Sequence, residues 1–239
     1  MLTSLFSVVK DVSKPYTIVE AWGYDKVIAP AVFDFACHTL LTTAVQARAK
    51  LAGEILEVGC GGGQLLSWLG DECPRARLTG VDLSAEQVAR AKRRVSRHGG
   101  RVQIVQGSAL ELPFEAASFD LVLSVASIKH WPDMTRGMRE ILRVLRPGGA
   151  FYVVEVDRGC KLHDAARFVG AWRVPGLAQR VLLPLFRTFV AGVAIDLEDA
   201  RQMLRELGLP ESGASRVLDT PAILLSGVKP EASFTHSAP

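Results

Sequence analysis

A glycine-rich segment and two carboxylates have the spacing that most directly indicates ligand chemistry. Glu57-Val58-Gly59-Cys60-Gly61-Gly62-Gly63 follows a short apolar run and precedes a stretch of helix-forming residues. Glycines in such a loop allow a sharp turn and let the backbone approach a ligand without interference from a Cβ. An acid at position 57 opposes a pyrophosphate and attracts an ammonium group. Asp82 stands about twenty residues past the loop, where an acid can accept hydrogen bonds from both hydroxyls of a ribose.

Other interpretations of this loop remain open. A dinucleotide-binding fingerprint would place glycines at 59, 61 and 64, but residue 64 is Gln. Without a ligand, the glycines would form a tight turn and Asp82 would cap the next helix. Ser84 already occupies the capping position, and Gln87 three residues later completes a capping-box signature. The pattern therefore favours a ligand that combines a ribose with an ammonium group.

The elements that position these residues alternate between strand and helix. We predict strands at 54–58, 77–82, 102–105, 119–125 and 150–156, and helices at 31–49, from Gln64, after Ser84 and after Asp133. A last helix at 197–207 and a hairpin of strands at 216–218 and 222–228 follow. This alternation implies a parallel sheet with helices on both faces and a ligand site at the carboxyl ends of its strands.

Several motifs together resemble those of the class I S-adenosylmethionine-dependent methyltransferases, in order and spacing, over residues 50–156. They are Ile55 to Gly63, Gly80 to Ser84, Gly107-Ser108-Ala109 with Leu112-Pro113-Phe114, Ser118 to Val122, and Leu142 to Gly149. The small-molecule subgroup of ubiquinone and menaquinone biosynthesis methyltransferases is the most similar. The resemblance implies an α/β fold with a Rossmann-like, doubly wound sheet of seven strands, mostly parallel with an antiparallel last strand. The hairpin at the carboxyl end agrees with that expectation.

The resemblance also implies which residues bind the cofactor, S-adenosyl-L-methionine, which leaves as S-adenosyl-L-homocysteine. The methionine portion would contact the loop residues Glu57, Gly59, Cys60, Gly61 and Gly63. Asp82 would hold the ribose, Leu83 would pack on the adenine, Ser108 and Ala109 would line its edge, and Ser124 would face the cofactor. The family usually has an acid at position 108, and a serine accepts the adenine amino group more weakly. Tyr24 resembles a tyrosine that covers the methionine end.

Catalysis on a methyl sulfonium needs mainly alignment, and a base only where the acceptor must lose a proton. His130 follows the fourth strand and is the candidate base, with a wall of the acceptor pocket as the equal alternative. Tyr24 could pair with His130 over the cofactor, which makes both residues catalytic candidates. Glu155 and Asp157 end the fifth strand at the same edge of the sheet, although surface charge or helix capping explains them equally well.

The chain divides into an N-terminal helical cap (1–50), a cofactor-binding core (51–157), a helical insertion or lid (158–195), a helix and hairpin of the core (196–229) and a frayed tail (230–239).

Trp172, Phe186 and Phe189 of the insertion would favour an aromatic or lipid-like acceptor. Its arginines recur every seven residues, at 173, 180 and 187, interrupted by Pro175 and Pro184. They would form a solvated face or, as the second choice, attract an anionic substrate or a membrane surface.

Composition narrows the classes of partner. A formal net charge of +3, from 28 Lys+Arg and 25 Asp+Glu, argues against nucleic acid. The four cysteines lack metal-ligand or disulfide spacing, so no metal is expected. No signal peptide and no apolar run long enough to span a bilayer are recognisable, so we expect a cytoplasmic protein without stable membrane insertion, peripheral contact aside. The oligomeric state stays open.

The sequence thus predicts methyl transfer to a small apolar or aromatic acceptor by in-line displacement. One alternative is a catalytically silent partner subunit that only binds the cofactor. A second is an NAD-dependent oxidoreductase, which shares the architecture but not the glycine register or Glu57. Neither the acceptor nor the methylated atom follows from the residues.

Overall fold

Seven strands form one twisted sheet in the computed structural model, which describes residues 24–34 and 53–231, with side chains from residue 26 onward. The strands are β1 (Glu54–Val58), β2 (Arg77–Asp82), β3 (Val102–Gln106), β4 (Phe119–Val125), β5 (Leu145–Val156), β6 (Ser212–Arg216) and β7 (Ala222–Val228). Their order is β3-β2-β1-β4-β5-β7-β6. Only β7 runs antiparallel to its neighbours, β5 and β6. The predicted Rossmann-like sheet, with its last strand antiparallel, is confirmed.

Six α-helices accompany the sheet in the described ranges. They are α1 (Gln64–Glu72), α2 (Ala85–Val95), α3 (Met134–Val144), α4 (Leu162–Gly170), α5 (Gly176–Leu185) and α6 (Leu197–Glu206). Side-chain caps explain where several begin: Asp133 accepts from the N–H of Arg136 at α3, and Asp196 forms a capping box with Asp199 at α6. Two short π-helical segments lie at Tyr24–Ile28 and Phe186–Ala191. The first continues as an α-helix over residues 29–34.

Alternating side chains of the strands supply two separate cores, one on each face of the sheet. On one face Ile55 and Leu121 pack with α1 and α2, and on the other Leu56 and Val122 pack with α3 and α6. Both faces are therefore covered, as parallel strands require. A third cluster joins α4 and α5 to the segment 24–34, through residues such as Ala31, Phe168, Trp172 and Phe186.

Several boundaries differ from the sequence prediction. β5 begins at Leu145 rather than Ala150, because Leu145 pairs with Phe119 before a register shift brings Ala150 opposite Leu121. The first strand of the hairpin spans Ser212–Arg216 instead of 216–218. The helix predicted at 31–49 is helical through residue 34, and its remainder lies outside the described residues, as do most of the cap and the end of the tail.

Candidate active site

The glycine loop turns tightly between β1 and α1. The N–H groups of Gly59 and Cys60 both donate to the Val81 carbonyl of β2, at 2.8 and 3.0 Å. Gly59 has φ +74° and Gly61 φ +52°, values that favour glycine. A Cβ on Gly59 would lie 1.9 Å from Ser127 Oγ, whereas one on Gly61 would meet nothing within 4 Å. Gly59 is thus required by packing, and Gly61 borders open space.

Asp82 ties this loop to the next helix. Its Oδ2 accepts the N–H of Gly61 at 2.8 Å, and its Oδ1 accepts the N–H of Ser84 at 2.9 Å. Burial raises the pKa of the Asp82 carboxyl, and these backbone donors oppose the rise. Each carboxylate oxygen keeps a further lone pair for an outside donor. Asp82 is therefore placed to hold the loop and a ligand hydroxyl together.

The capping box predicted before α2 forms only in part. Ser84 Oγ accepts the N–H of Gln87 at 3.4 Å, as the motif requires. The reciprocal bond is missing, because the Ser84 N–H donates to Asp82 instead. The Oε1 of Gln87 is buried without a hydrogen-bond partner among the residues that the structure describes. Asp82 therefore takes part of the capping role that the sequence assigned to Gln87.

Glu57 is the most unusual carboxyl group at this edge of the sheet. Only 3% of the residue is exposed, and its Oε2 has no hydrogen-bond partner in the part of the chain described. Burial, and after it the charge of Asp82, raises the pKa of Glu57 well above its usual value of 4.5. The side chain borders a cleft of about 410 Å³, together with Phe33, Gly61, Gln64 and Val125.

Of the other predicted cofactor residues, Cys60 lines this cleft, whereas Leu83, Ser108 and Ala109 are not among its lining residues. Leu83 is 55% exposed just beyond β2 in the described structure. Ser108 and Ala109 are half-buried, and Ser108 Oγ accepts the N–H of Leu110 at 3.1 Å. Cys60 is buried, and burial followed by the charges of Glu57 and Asp82 raises the pKa of its thiol. A buried, protonated thiol is unreactive.

Ser124 does not face the cleft, contrary to the prediction. It is fully buried, and its Oγ donates to the Val58 carbonyl of β1 at 2.9 Å. Side chains alternate along a strand, so the neighbouring Val125 lies on the same side as Glu57 and borders the cleft. The sequence placed Ser124 correctly on β4 but on the wrong face.

The structure describes the side chain of one of the two catalytic candidates, His130, and leaves their pairing untested. His130 is half-buried at the end of a short turn, Ile128–His130, that follows β4. Its backbone N–H donates to the Ser127 carbonyl at 2.9 Å. Tyr24 begins the segment Tyr24–Ile28, but its side chain lies outside the described residues. The pairing of Tyr24 with His130 therefore stays a hypothesis.

A second cleft, of about 290 Å³, lies next to the first. The two share Val32 and Val125 as lining residues. The second cleft is otherwise bordered by Ala126, Val154, Glu155, Val156, Phe168, Pro221 and Ala222. Nearly all of these residues are apolar, so this space suits a hydrophobic group.

A buried ion pair at the second cleft was not foreseen. Glu155 and Asp157 are each 1% exposed, so the alternative of surface charges is wrong for both. Lys129 Nζ lies 2.9 Å from Glu155 Oε1 and also donates to the Ala126 carbonyl at 2.7 Å. Asp157 pairs with Arg216 at 2.7 Å. The sequence signal was one acid inside the apolar run Val153-Val154-Glu155-Val156, which a buried strand admits only when the acid is paired.

No metal centre is evident in the described parts of the chain, where no three His, Cys, Asp or Glu residues cluster suitably. Likewise, none of the helices in these ranges has the length and apolar character needed to cross a bilayer.

A family model and individual relatives that match this chain are all described as methyltransferases. Residues 56–153, from β1 into β5, match the family described as a methyltransferase domain. A demethylmenaquinone methyltransferase of Chlorobaculum tepidum is 33% identical over 141 residues, which cover 54% of this chain and 56% of that protein. A fatty-acid O-methyltransferase of Mycolicibacterium smegmatis is 33% identical over 183 residues, covering 77% and 60% respectively. The chain thus spans less than two thirds of either relative.

The fold has solved counterparts. The crystal structure of a SAM-dependent methyltransferase from Aquifex aeolicus aligns with a TM-score of 0.56, over 74% of this chain and 82% of that one, at 14% identity. At this identity the likeness concerns the fold alone.

Proposed function

We propose that this chain, whose core over residues 56–153 belongs to the methyltransferase domain family, moves a methyl group from S-adenosylmethionine to a small apolar acceptor. One observation carries the proposal. Glu57 is buried with one oxygen unpaired among the described residues, beside a cleft that the open backbone of Gly61 also borders. A carboxylate so placed suits the ammonium group of the methionine portion, since an opposite charge offsets the cost of its burial.

Two residues at the end of β2, next to the glycine loop, fit the same cofactor. Asp82 offers further lone pairs to the ribose hydroxyls while its bonds to Gly61 and Ser84 fix its orientation. The exposed Leu83 offers an apolar surface to the adenine. When bound, S-adenosylmethionine supplies a methyl group on a positively charged sulfur, which is a good leaving group. The protein then has to align the acceptor and exclude water.

The second cleft is the proposed acceptor site. Its mostly apolar lining suits a hydrophobic acceptor, and because it shares Val32 and Val125 with the first cleft, an acceptor bound there would lie beside the cofactor. Relatives named for demethylmenaquinone and for fatty acids support an apolar acceptor. For acceptors that must lose a proton, we assign the base to His130, which ends the turn after β4 at the same edge of the sheet.

Paired glycine variants test the cofactor site. Gly61 and Gly208 both have positive φ, and a Cβ on either would meet nothing within 4 Å. Replacement by alanine should therefore introduce a similar backbone strain at both positions, about 1–2 kcal/mol. Only Gly61 borders the first cleft, so Gly61→Ala should weaken S-adenosylmethionine binding by more than about tenfold in calorimetry. Gly208→Ala should bind like the wild type.

Three outcomes separate the alternatives. Equal binding by both variants would place the cofactor elsewhere, and no binding by the wild type would refute the proposal. Binding without transfer of labelled methyl to quinols, phenols or fatty acids would indicate a silent cofactor-binding subunit instead of an enzyme.

A further inference from the structure

Exposed apolar side chains are concentrated on the helical segment after β5. Of the seven large hydrophobic residues that are exposed in the described ranges, five lie between residues 162 and 193: Leu162 (57%), Leu177 (77%), Val181 (54%), Phe189 (39%) and Val193 (45%). The other two are Leu83, at the first cleft, and Leu218. Single exposed apolar residues are ordinary, but a concentration of them marks an interaction surface.

Helix α5 is apolar on both its inner and its outer side. Its inner side contributes Leu182 to the third core cluster, where Phe186 follows. Its outer side exposes Leu177 and Val181, one helical turn apart. Gln179 and Arg180 are the only polar side chains of Gly176–Leu185. A helix that is hydrophobic all round is normally buried, and among the described residues nothing covers the outer side of this one.

The charge of the same segment has one sign. Residues 165–195 contain four arginines and no acid, although the whole chain is nearly balanced. Arg167 contacts Asp219. Arg173, Arg180 and Arg187 are exposed and form no ion pair within the described residues. Arginines beside exposed apolar side chains, without acids between them, complement an anionic surface that also has an apolar interior.

We propose that the outer face of α5 together with its flanking segments, defined by Leu177, Val181 and Arg180 of the helix and by Arg173 and Arg187 beside it, docks on anionic lipid bilayers. The helix lies in the plane of the interface, with Leu177 and Val181 among the acyl chains and the arginines on lipid phosphates. Ten residues are too few to cross a bilayer. Phe168 of α4, which shares the third cluster with Leu182 of α5, lines the second cleft.

Vesicle flotation tests this surface without reference to methyl transfer, because the full chain is used without cofactor. It should float with vesicles that contain phosphatidylglycerol, and salt should weaken the binding. Vesicles of phosphatidylcholine alone should bind far less. Leu177→Gln with Val181→Gln should remove most of the binding. Arg180→Gln and Arg187→Gln should each weaken it about fivefold, the worth of one basic residue at an anionic surface.

Matched controls lie elsewhere on the chain. Leu218→Gln removes an apolar side chain that is 89% exposed, and Arg205→Gln removes an exposed arginine of α6. Both should float like the wild type. Failure of the wild type to float, or equal losses in control and face variants, would overturn the proposal. So would self-association in sedimentation that Leu177→Gln with Val181→Gln abolishes, because a second copy would then cover the face. Calorimetry with S-adenosylmethionine separately decides the proposed function.

Discussion

Glu57 shows how a single residue connects the fold to ligand chemistry. Its carboxyl group has been removed from water beside a second acid, Asp82, and one of its oxygens lacks a partner among the described residues. Such a group destabilises the folded chain when it ionises. A cationic ligand group would offset that cost, which is why we propose that Glu57 serves binding rather than folding.

Replacing Glu57 with Gln should remove part of the pH dependence of stability. Burial and Asp82 raise the pKa of Glu57 in the folded chain above its usual value of 4.5, so the folded state holds this proton more tightly than the unfolded state. The resulting stabilisation is complete below the usual pKa and is lost as pH rises through the raised one. In urea unfolding over that range, the wild type should lose stability relative to Glu57→Gln.

The exposed Glu206 of α6 provides the control, because Glu206→Gln should keep the pH profile of the wild type. If the profiles of wild type and Glu57→Gln ran parallel, the carboxyl of Glu57 would not be perturbed by burial.

At this scale the sequence predicted residue types better than side-chain partners. The loop glycines, Glu57 and Asp82 were found because their spacing follows the local geometry of a strand, a turn and a helix. The partner of the Ser84 N–H was missed, because Asp82 and Gln87 both lie within reach and only the folded backbone selects between them. Successive side chains of a strand point to opposite faces, and because β4 is apolar on both faces, its sequence does not show to which face Ser124 points.

The turn after β4 is the element that joins the two clefts. Ala126 has φ +51°, a strained value for a residue with a Cβ. Its N–H donates to the Val154 carbonyl at 2.8 Å, and its carbonyl accepts from Lys129 Nζ. Ser127, which follows, packs against Gly59 of the loop. The Lys129–Glu155 pair thus holds the backbone that positions both the glycine loop and the second cleft.

Breaking this ion pair should cost much more stability than breaking an exposed one. Lys129→Met leaves the carboxylate of Glu155 buried without its counter-charge, so unfolding free energy should fall by about 3–5 kcal/mol. Lys129→Met with Glu155→Leu should lose less than the sum of the two single changes, because no unpaired charge remains. Chemical denaturation of the four proteins in the cycle measures this coupling.

Arg205 and Glu198, 3.0 Å apart and mostly exposed, form the comparison pair. Arg205→Met should cost no more than about 1 kcal/mol. A loss as small as this for Lys129→Met would mean that water reaches the buried pair.

Elements were predictable where local pattern decides them. β4 spans Phe119–Val125 as predicted, since a near-continuous apolar run between polar segments defines it. The start of β5 was missed because Pro147-Gly148-Gly149 is a turn signal locally. In the folded chain Leu145 pairs with Phe119, and the register shift absorbs the extra residues. Pairing between strands far apart in sequence overrides the local signal, and periodicity does not contain that information.

The whole molecule has two large cores and a smaller third one. The clusters on the two faces of the sheet each contain twenty buried residues among those described, whereas the cluster of α4, α5 and residues 24–34 contains eleven. Five of these eleven are Ala31, Cys160, Ala165, Ala191 and Ala194, which bury little area each. The third cluster should therefore be the less stable unit.

Hydrogen exchange followed by mass spectrometry should reveal this difference. Amides of β1, β4 and β5 should exchange only through global unfolding, and amides of α4 and α5 should exchange faster through local opening. Helix α6, which packs on the sheet, is the internal control and should be protected like the strands. Equal protection of α4, α5 and the sheet would show that the three clusters unfold as one.

Val32 and Val125 border both clefts, and this shared border has a thermodynamic consequence. If the two proposed ligands occupy these clefts, each should order side chains that also shape the other cleft, which would couple the two binding events. Linkage requires the coupling to be reciprocal: whatever factor the first ligand applies to the affinity of the second, the second applies to the first. Val32 comes from the segment 24–34, outside residues 56–153, which match the methyltransferase domain family. Under the proposed function, a substitution at Val32 would therefore change the cooperativity between the two ligands without altering the glycine loop.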